Sequence, residues 1–432
     1  MTKTGSKFIK KVQSREGRTI CRNFGYLTIL QIAGYIFPII TVPYLARVIG
    51  AEGFGRIAFA AAVIVWFQTI SDWGFNYTAT RDVAINKSDK EKISRIFSEV
   101  ICAKFLLAGL SFIFLLVLVF ILPEFRKNWQ LILLTFLQIP GHILFPDWFF
   151  QAVERMGYIT VMNLFSKTLF TLGVFLFVKE KGDYVLYPLL MSMGYIAAGI
   201  FGMYFILNRW KIKFEIPDLV VILSAIKGST DVFINNLMPN LYNSFSVLLL
   251  GFYWGGVQNG IFDAGSKFVN LGLQINLLFS RAFFPFLSRR IDKHKLYVLI
   301  SLVSSGFVAI LLFALAPIMV NLMYTKEFDG AVTVQRVLSI SLIFAFLINA
   351  YGTNFLILNG NEKGLRKITM LCSFIGLGLS FPLVYFWGYI GAAVNVALIR
   401  GLMGIGITWK AISVKNQSSM FPKVKPPNVF AC

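Results

Sequence analysis

The sequence predicts an all-α integral membrane protein with about 12 transmembrane helices, and three observations carry that prediction. Of 432 residues, 57% are hydrophobic and only 14% charged, with a mean hydropathy of +0.71; soluble domains carry roughly 25% charged residues. Apolar segments recur along the whole chain at the length of roughly 20 residues that a helix needs to cross hydrocarbon. The basic residues are dense in alternate connections and sparse in the others.

Residues 1–23 are polar and basic rather than a cleavable signal, so the apolar stretch after them reads as an uncleaved first span. Spans are expected near 24–46, 56–75, 96–122, 130–150, 159–178, 185–207, 228–252, 261–286, 296–321, 335–358, 368–386 and 390–413. Polar content makes 56–75 and 228–252 the faintest of these. The hydrophilic linker 208–227 divides the chain into an N-terminal six-helix lobe at 24–207 and a C-terminal six-helix lobe at 228–413, with a tail at 414–432. Equal blocks suggest an internal duplication, and each block is expected to open on a helix broken mid-span by proline, at Pro38 and Pro239.

With the N-terminus inside, the cytoplasmic connections hold 28 of the 41 basic residues and the opposite ones hold 8. That bias puts both termini in the cytoplasm, and it explains the net charge of +21 without any nucleic-acid partner. The cysteines follow no metal spacing, and no catalytic or metal site is implied. His142 is expected to pack within the fourth span, and His294, in a basic loop, to face solvent.

The remaining 5 basic residues, Lys104, Lys167, Lys267, Arg281 and Arg400, lie inside spans. Each opposes insertion by roughly 2.5 to 3.5 kcal/mol at a helix centre. The eighth span sets Asp263, Lys267, Asn270, Gln274 and Arg281 within roughly 60° of one another, a stripe that lipid cannot face. Asp263 and Lys267 can neutralise each other and Arg281 can snorkel, but neither accounts for Asn270 and Gln274; a water-filled cavity does. In the seventh span Ser229, Asn236, Asn240 and Asn243 share a face around Pro239, where amides serve as glue between helices or line the cavity. Gln31 and Tyr35 share a face of the first span, and Asp72 lies near the inner end of the second. The carboxylates at depth, Asp72, Asp147 and Asp231, cluster at cytoplasmic ends and leave the mid-membrane positive. An anion held there would balance the charge.

Several stretches resemble the Wzx-type flippases of bacterial polysaccharide assembly, in the multidrug/oligosaccharidyl-lipid/polysaccharide exporter superfamily. Pro43-Tyr44-Leu45-Ala46-Arg47-Val48-Ile49-Gly50-Ala51-Glu52-Gly53-Phe54-Gly55 is similar to that family's turn between the first two spans. Asp72-Trp73-Gly74-Phe75-Asn76 with Arg81 resembles the end of the second, and Pro146 to Met156 the pattern after the fourth, with Ala152 where glycine is expected. Gly260 to Lys267, Pro285-Phe286-Leu287-Ser288-Arg289 and Gly391-Ala392-Ala393 extend the likeness over nearly the whole chain.

The resemblance implies two six-helix lobes around a central cavity lined by spans 1, 2, 7 and 8. It implies an O-antigen-type flippase in the bacterial inner membrane that moves undecaprenyl-pyrophosphate-linked oligosaccharide to the periplasmic leaflet by alternating access. Membrane lipid and the polysaccharide polymerase and chain-length proteins are the implied partners. No cofactor is expected beyond an ion gradient, for which Asp72 and Asp263 are the coupling candidates; no Gly-rich ATPase loop is present. Lys, Arg, Asn and Gln in a hydrated groove suit a charged pyrophosphate and its sugars. The competing expectations are a multidrug or small-solute exporter of the same fold, and a membrane-embedded enzyme acting on lipid-linked sugars.

Overall fold

The computed structural model describes residues 15–289 and 291–420, with side chains except at 15–21, 24, 281–282, 285–286, 288–289 and 417–420. Every regular element among the described residues is a helix. The principal ones are α1 (Arg15–Asp72), α2 (Lys90–Ile121), α3 (Met156–Phe177), α4 (Leu186–Tyr204) and α5 (Leu219–Leu237). They continue with α6 (Ser244–Trp254), α7 (Gly256–Arg289), α8 (His294–Ala314), α9 (Ala331–Leu347) and α10 (Glu362–Met420).

Eight helical stretches are long and apolar enough to cross a bilayer. Two of them, Gly25–Ile85 and Glu362–Asn416, are double, because the backbone turns back at Gly50 (φ 65°) and at Gly388 (φ 54°). The α5–α6 segment and α7 are too polar to be recognised by hydropathy, and with them the helices account for the twelve expected spans. The chain is thus a multi-pass membrane protein.

Local sequence sets several of the ends. Asp89 caps α2 by accepting from the Lys92 N–H at 3.0 Å, with Glu91 in the first turn where the helix dipole favours it. Pro239 breaks its span as expected, through a 3₁₀ turn at Met238–Leu241 between α5 and α6. Pro38 does not break its own: it sits inside α1 with helical dihedrals on either side. The Lys167 ammonium lies beside Gly34, one turn back, 3.5 Å from where a Cβ would stand.

The chain packs as two compact units. One runs to Asp263 and takes in Asn321–Asp329; the other comprises Ala264–Val320 and the chain from Gly330. The 208–227 linker and the α5–α6 span therefore pack within the first unit. The core of that unit gathers Phe59, Phe67, Phe97, Trp148, Phe149 and Phe150. Ala152 is helical and buried; the left-handed residue of that turn is Glu154 (φ 60°), so no glycine is needed at 152. Backbones come closest where α1 meets the start of α7. A Cβ on Gly55 would stand 1.5 Å from the Gly256 carbonyl oxygen, and one on Gly260 would stand 2.1 Å from that of Ala51. At the Gly50 turn the Ala51 N–H donates to Glu327 Oε2 at 3.0 Å, while Phe54 packs edge-on to Phe328.

In the second unit α7 lays its small residues on α9, with Gly265 against Ala331 and Val334 and Gly272 against Leu342. Asn276 Nδ2 donates to Ser305 Oγ and to the Leu342 carbonyl, both at 3.2 Å. Beyond α9 the helix widens to π geometry over Ile348–Ile357, and Asn354 there donates to Tyr297 Oη at 2.7 Å. His294 is buried, not solvent-facing. Its Nε2 donates to the Ala350 carbonyl at 2.9 Å, and its ring packs on Tyr351 and Phe355 because the helix starts at this residue and turns it inward.

Gly260→Ala forces the α1–α7 backbones apart and is expected to cost about 1 to 3 kcal/mol. Gly109→Ala, with nothing within 4 Å, leaves stability unchanged or slightly raised. Thermal unfolding in detergent compares the two.

Candidate functional site

A group of polar and aromatic contacts joins the C-terminal end of α1 and the helix after it to α5 and the turn that follows. Trp73 stacks on Phe233 with centroids 3.9 Å apart and planes 2° from parallel, and its Nε1 donates to Thr230 Oγ1 at 3.3 Å. Thr78 and Ser229 join their hydroxyls at 2.8 Å, and Asn240 donates to Thr69 Oγ1 at 3.0 Å. Trp73 adopts φ 41°, a costly region for a bulky residue, just before Gly74 at φ 82°. The turn brings the indole flat against α5. Trp73 stood in the sequence only as part of the Asp72–Asn76 stretch and Phe233 not at all, because an aromatic residue near a span end is ordinary there.

The intramembrane cations separate into distinct environments. Lys104 is only 3% exposed, and its Nζ reaches Asp72 Oδ1 and Asn76 Oδ1, each at 2.9 Å. Asp72 retains 27% exposure. His142 and Asp147 lie within electrostatic reach of this pair. Two residues expected in separate roles, substrate binding and ion coupling, thus form one ion pair. Arg400 donates from Nη1 to Ser341 Oγ at 3.0 Å, which ties α10 to α9. Lys167, half-buried beside Gly34, makes no hydrogen bond or ion pair among the described residues. The Arg281 side chain lies outside the described residues.

The α7 stripe is divided by burial. Asn270 and Gln274, four apart on one face, are exposed, Lys267 is half-buried, and Gly265, Gly272 and Asn276 are buried. The amides share this open part of the helix with Ile275, Leu278 and Phe279, which are exposed as well. Asp263, in the first unit, lies in electrostatic reach of Tyr187 and Tyr324. Around Pro239, Asn236 is exposed, Asn243 half-buried, and Asn240 engaged with Thr69 as described. Gln31 Nε2 donates to Tyr35 Oη at 2.7 Å, so these two partner each other. Among the described residues no cluster of three or more His, Cys, Asp and Glu side chains could hold a metal.

Bilayer-length helices that carry polar side chains at depth are the build of a membrane transporter. Residues 20–291 match the model of the polysaccharide biosynthesis protein family, and the chain belongs to that family. It is 29% identical over 395 residues to a candidate O-antigen transporter of Escherichia coli (strain K12), covering 88% of this chain and 95% of that protein. A candidate O-antigen transporter of Shigella dysenteriae is 26% identical over 397 residues, with 88% and 97% coverage. Among solved structures, the lipid II flippase MurJ in an inward closed conformation superposes with a TM-score of 0.73 at 15% identity, covering 90% of this chain and 87% of that one. An inward-facing multidrug transporter of the MATE family, in the MOP superfamily, gives 0.69 at 14% identity, with 88% and 96% coverage. These likenesses fix the fold.

Breaking either side of the buried ion pair strands a charge. Lys104→Met or Asp72→Asn alone is expected to cost about 3 kcal/mol, at the low end for a buried pair because Asp72 keeps partial exposure. The double substitution recovers most of the loss. A double-mutant cycle of denaturant unfolding in micelles checks this.

Proposed function

We propose that the protein is a flippase that carries an undecaprenyl-pyrophosphate-linked oligosaccharide, an O-antigen-type repeat unit, from the cytoplasmic to the periplasmic leaflet of the bacterial inner membrane. The observation that carries this reading is the exposed amide face of Asn270 and Gln274 on a bilayer-length helix. Such a face lowers the barrier for a head group rich in hydroxyls that hydrocarbon rejects, while the isoprenoid tail stays in lipid. The names borne by the curated relatives and the likeness to a lipid II flippase support the same cargo class.

Lys167 supplies positive charge at depth without a competing carboxylate. Its flexible ammonium binds a pyrophosphate without demanding the fixed fork geometry of arginine, so the ligand can leave. Transport proceeds by alternating access, with the Trp73–Phe233 stack and the Thr78–Ser229 bond parting on the cytoplasmic side and the Gly55–Gly256 seam on the other. An ion gradient drives the cycle. Protonation of Asp72 releases Lys104 and loosens the end of α1 beside Trp73; Asp263 is the second coupling candidate. A polysaccharide polymerase and a chain-length protein receive the product. Multidrug exporters share the fold, but a cation at depth such as Lys167 disfavours cationic drugs.

The test is translocation in proteoliposomes loaded with fluorescent lipid-linked oligosaccharide and scored by glycosidase access. Lys167→Ala, and separately Asn270→Ala with Gln274→Ala, should slow translocation about tenfold, the loss of about 1.4 kcal/mol of contact. Lys167→Arg should retain most of the rate. Efflux of a cationic dye without glycan movement would overturn the reading.

A further inference from the structure

A second polar feature lies away from these residues. Between the start of α1, the start of α3 and the end of α4, a groove of about 500 Å³ is lined by Tyr26, Tyr158, Phe165, Phe201 and Phe205 together with Arg22 and Arg155. The walls are fixed by specific contacts. Asn23 Nδ2 donates to the Glu154 carbonyl and Thr160 Oγ1 to that of Tyr26, each at 2.9 Å, which ties α1 to α3. Gly157 leaves room for the Tyr26 ring, which would stand 3.0 Å from a Cβ there. Tyr158 meets Phe205 edge-on at 5.4 Å, and Phe165 meets Phe201 at 5.5 Å.

The two arginines come from segments 133 residues apart and line the same groove. No carboxylate of the described residues pairs with either. The nearest in sequence, Glu154, takes the left-handed conformation and gives its carboxylate to Lys87 at 2.5 Å. Interfacial arginines and lipid-facing aromatics are common in membrane proteins. Two guanidiniums with no carboxylate partner among the described residues, lining one aromatic groove, suit a ligand with a multiply charged phosphate head and a hydrocarbon chain. A phospholipid with one phosphodiester charge would leave one guanidinium unmatched.

We infer that this groove is a loading site in the cytoplasmic leaflet for the polyprenyl diphosphate end of the cargo, with the diphosphate on Arg22 and Arg155 and the first isoprene units between α3 and α4. This rests on the flippase reading, and it assigns the lipid portion a place separate from the polar faces that take the sugars. Bidentate arginine contacts hold a diphosphate tightly enough to pick a scarce lipid out of abundant phospholipid.

The test uses the full chain in phosphatidylcholine nanodiscs and undecaprenyl diphosphate carrying a diazirine near the head group. Photolabelling is expected on the segments 157–165 and 201–205. Arg22→Gln with Arg155→Gln should lower it about tenfold, the effect of one lost charge-assisted contact. Val161→Trp, which fills the channel from an exposed lining position, should do likewise without touching the arginines. Labelling confined to other helices, unchanged labelling in both variants, or equal displacement by phosphatidylglycerol at the same mole fraction would overturn the assignment. Because labelling needs no transport, a protein that binds here but moves no glycan would refute the flippase reading alone.

Discussion

Hydrocarbon accepts no unsatisfied polar group, and this constraint sorts the polar residues of the chain into two sets. One set is paired inside the bundle: Lys104 with Asp72 and Asn76, Asn276 with Ser305, Asn354 with Tyr297, His294 with the Ala350 carbonyl. These hold helices together. The other set, Lys167, Asn236, Asn270 and Gln274, is left without such closure or stays exposed. The proposed function draws on this second set, because a group not already satisfied is the one able to receive a ligand.

Close approach of backbones is the complement of that sorting. Association in lipid gains little from hydrophobicity, so helices pack where glycine lets them touch. Gly55 with Gly256, Gly194 with Ser166 and Gly265 with Ala331 are such points. The parallel run of α1 and α3 shows how the two kinds of contact cooperate. Thr160 binds the Tyr26 carbonyl at one end, Tyr44 donates to the Val178 carbonyl at 2.7 Å at the other, and Lys167 lies beside Gly34 between them. The middle of the pair thus carries a cation on a frame fastened at both ends.

The spans, the Pro239 break and the polar stripe of α7 were all legible in the sequence, since each is a local pattern of hydropathy, ring chemistry or helical spacing. What escaped was pairing across distance. Asp72 and Asn76 flank the Trp73–Gly74 turn, and nothing local reveals that Lys104 comes to rest between them. A carboxylate partner for Lys104 was open in the sequence, but not which one. His294 sits among basic residues, yet its neighbours in space are Tyr351 and Phe355, more than fifty residues on. Pro38 was expected to break its span, and the helix runs through it. The substitution at Ala152 looked disruptive until the left-handed residue proved to be Glu154.

The Gly50 turn closes on Glu327, whose carboxylate takes the Ala51 N–H across 276 residues of chain. A polytopic protein enters the bilayer span by span as it is made, so the first turn waits with an open amide while most of the polypeptide is synthesised. The first unit is therefore completed almost last. Its assembly is a high-contact-order event, with slow ring closure imposed on a nascent chain already confined to the membrane. Truncation after the first seven spans would leave that turn unfinished, which makes the late segment Asn321–Asp329 an assembly checkpoint for the earliest part of the protein.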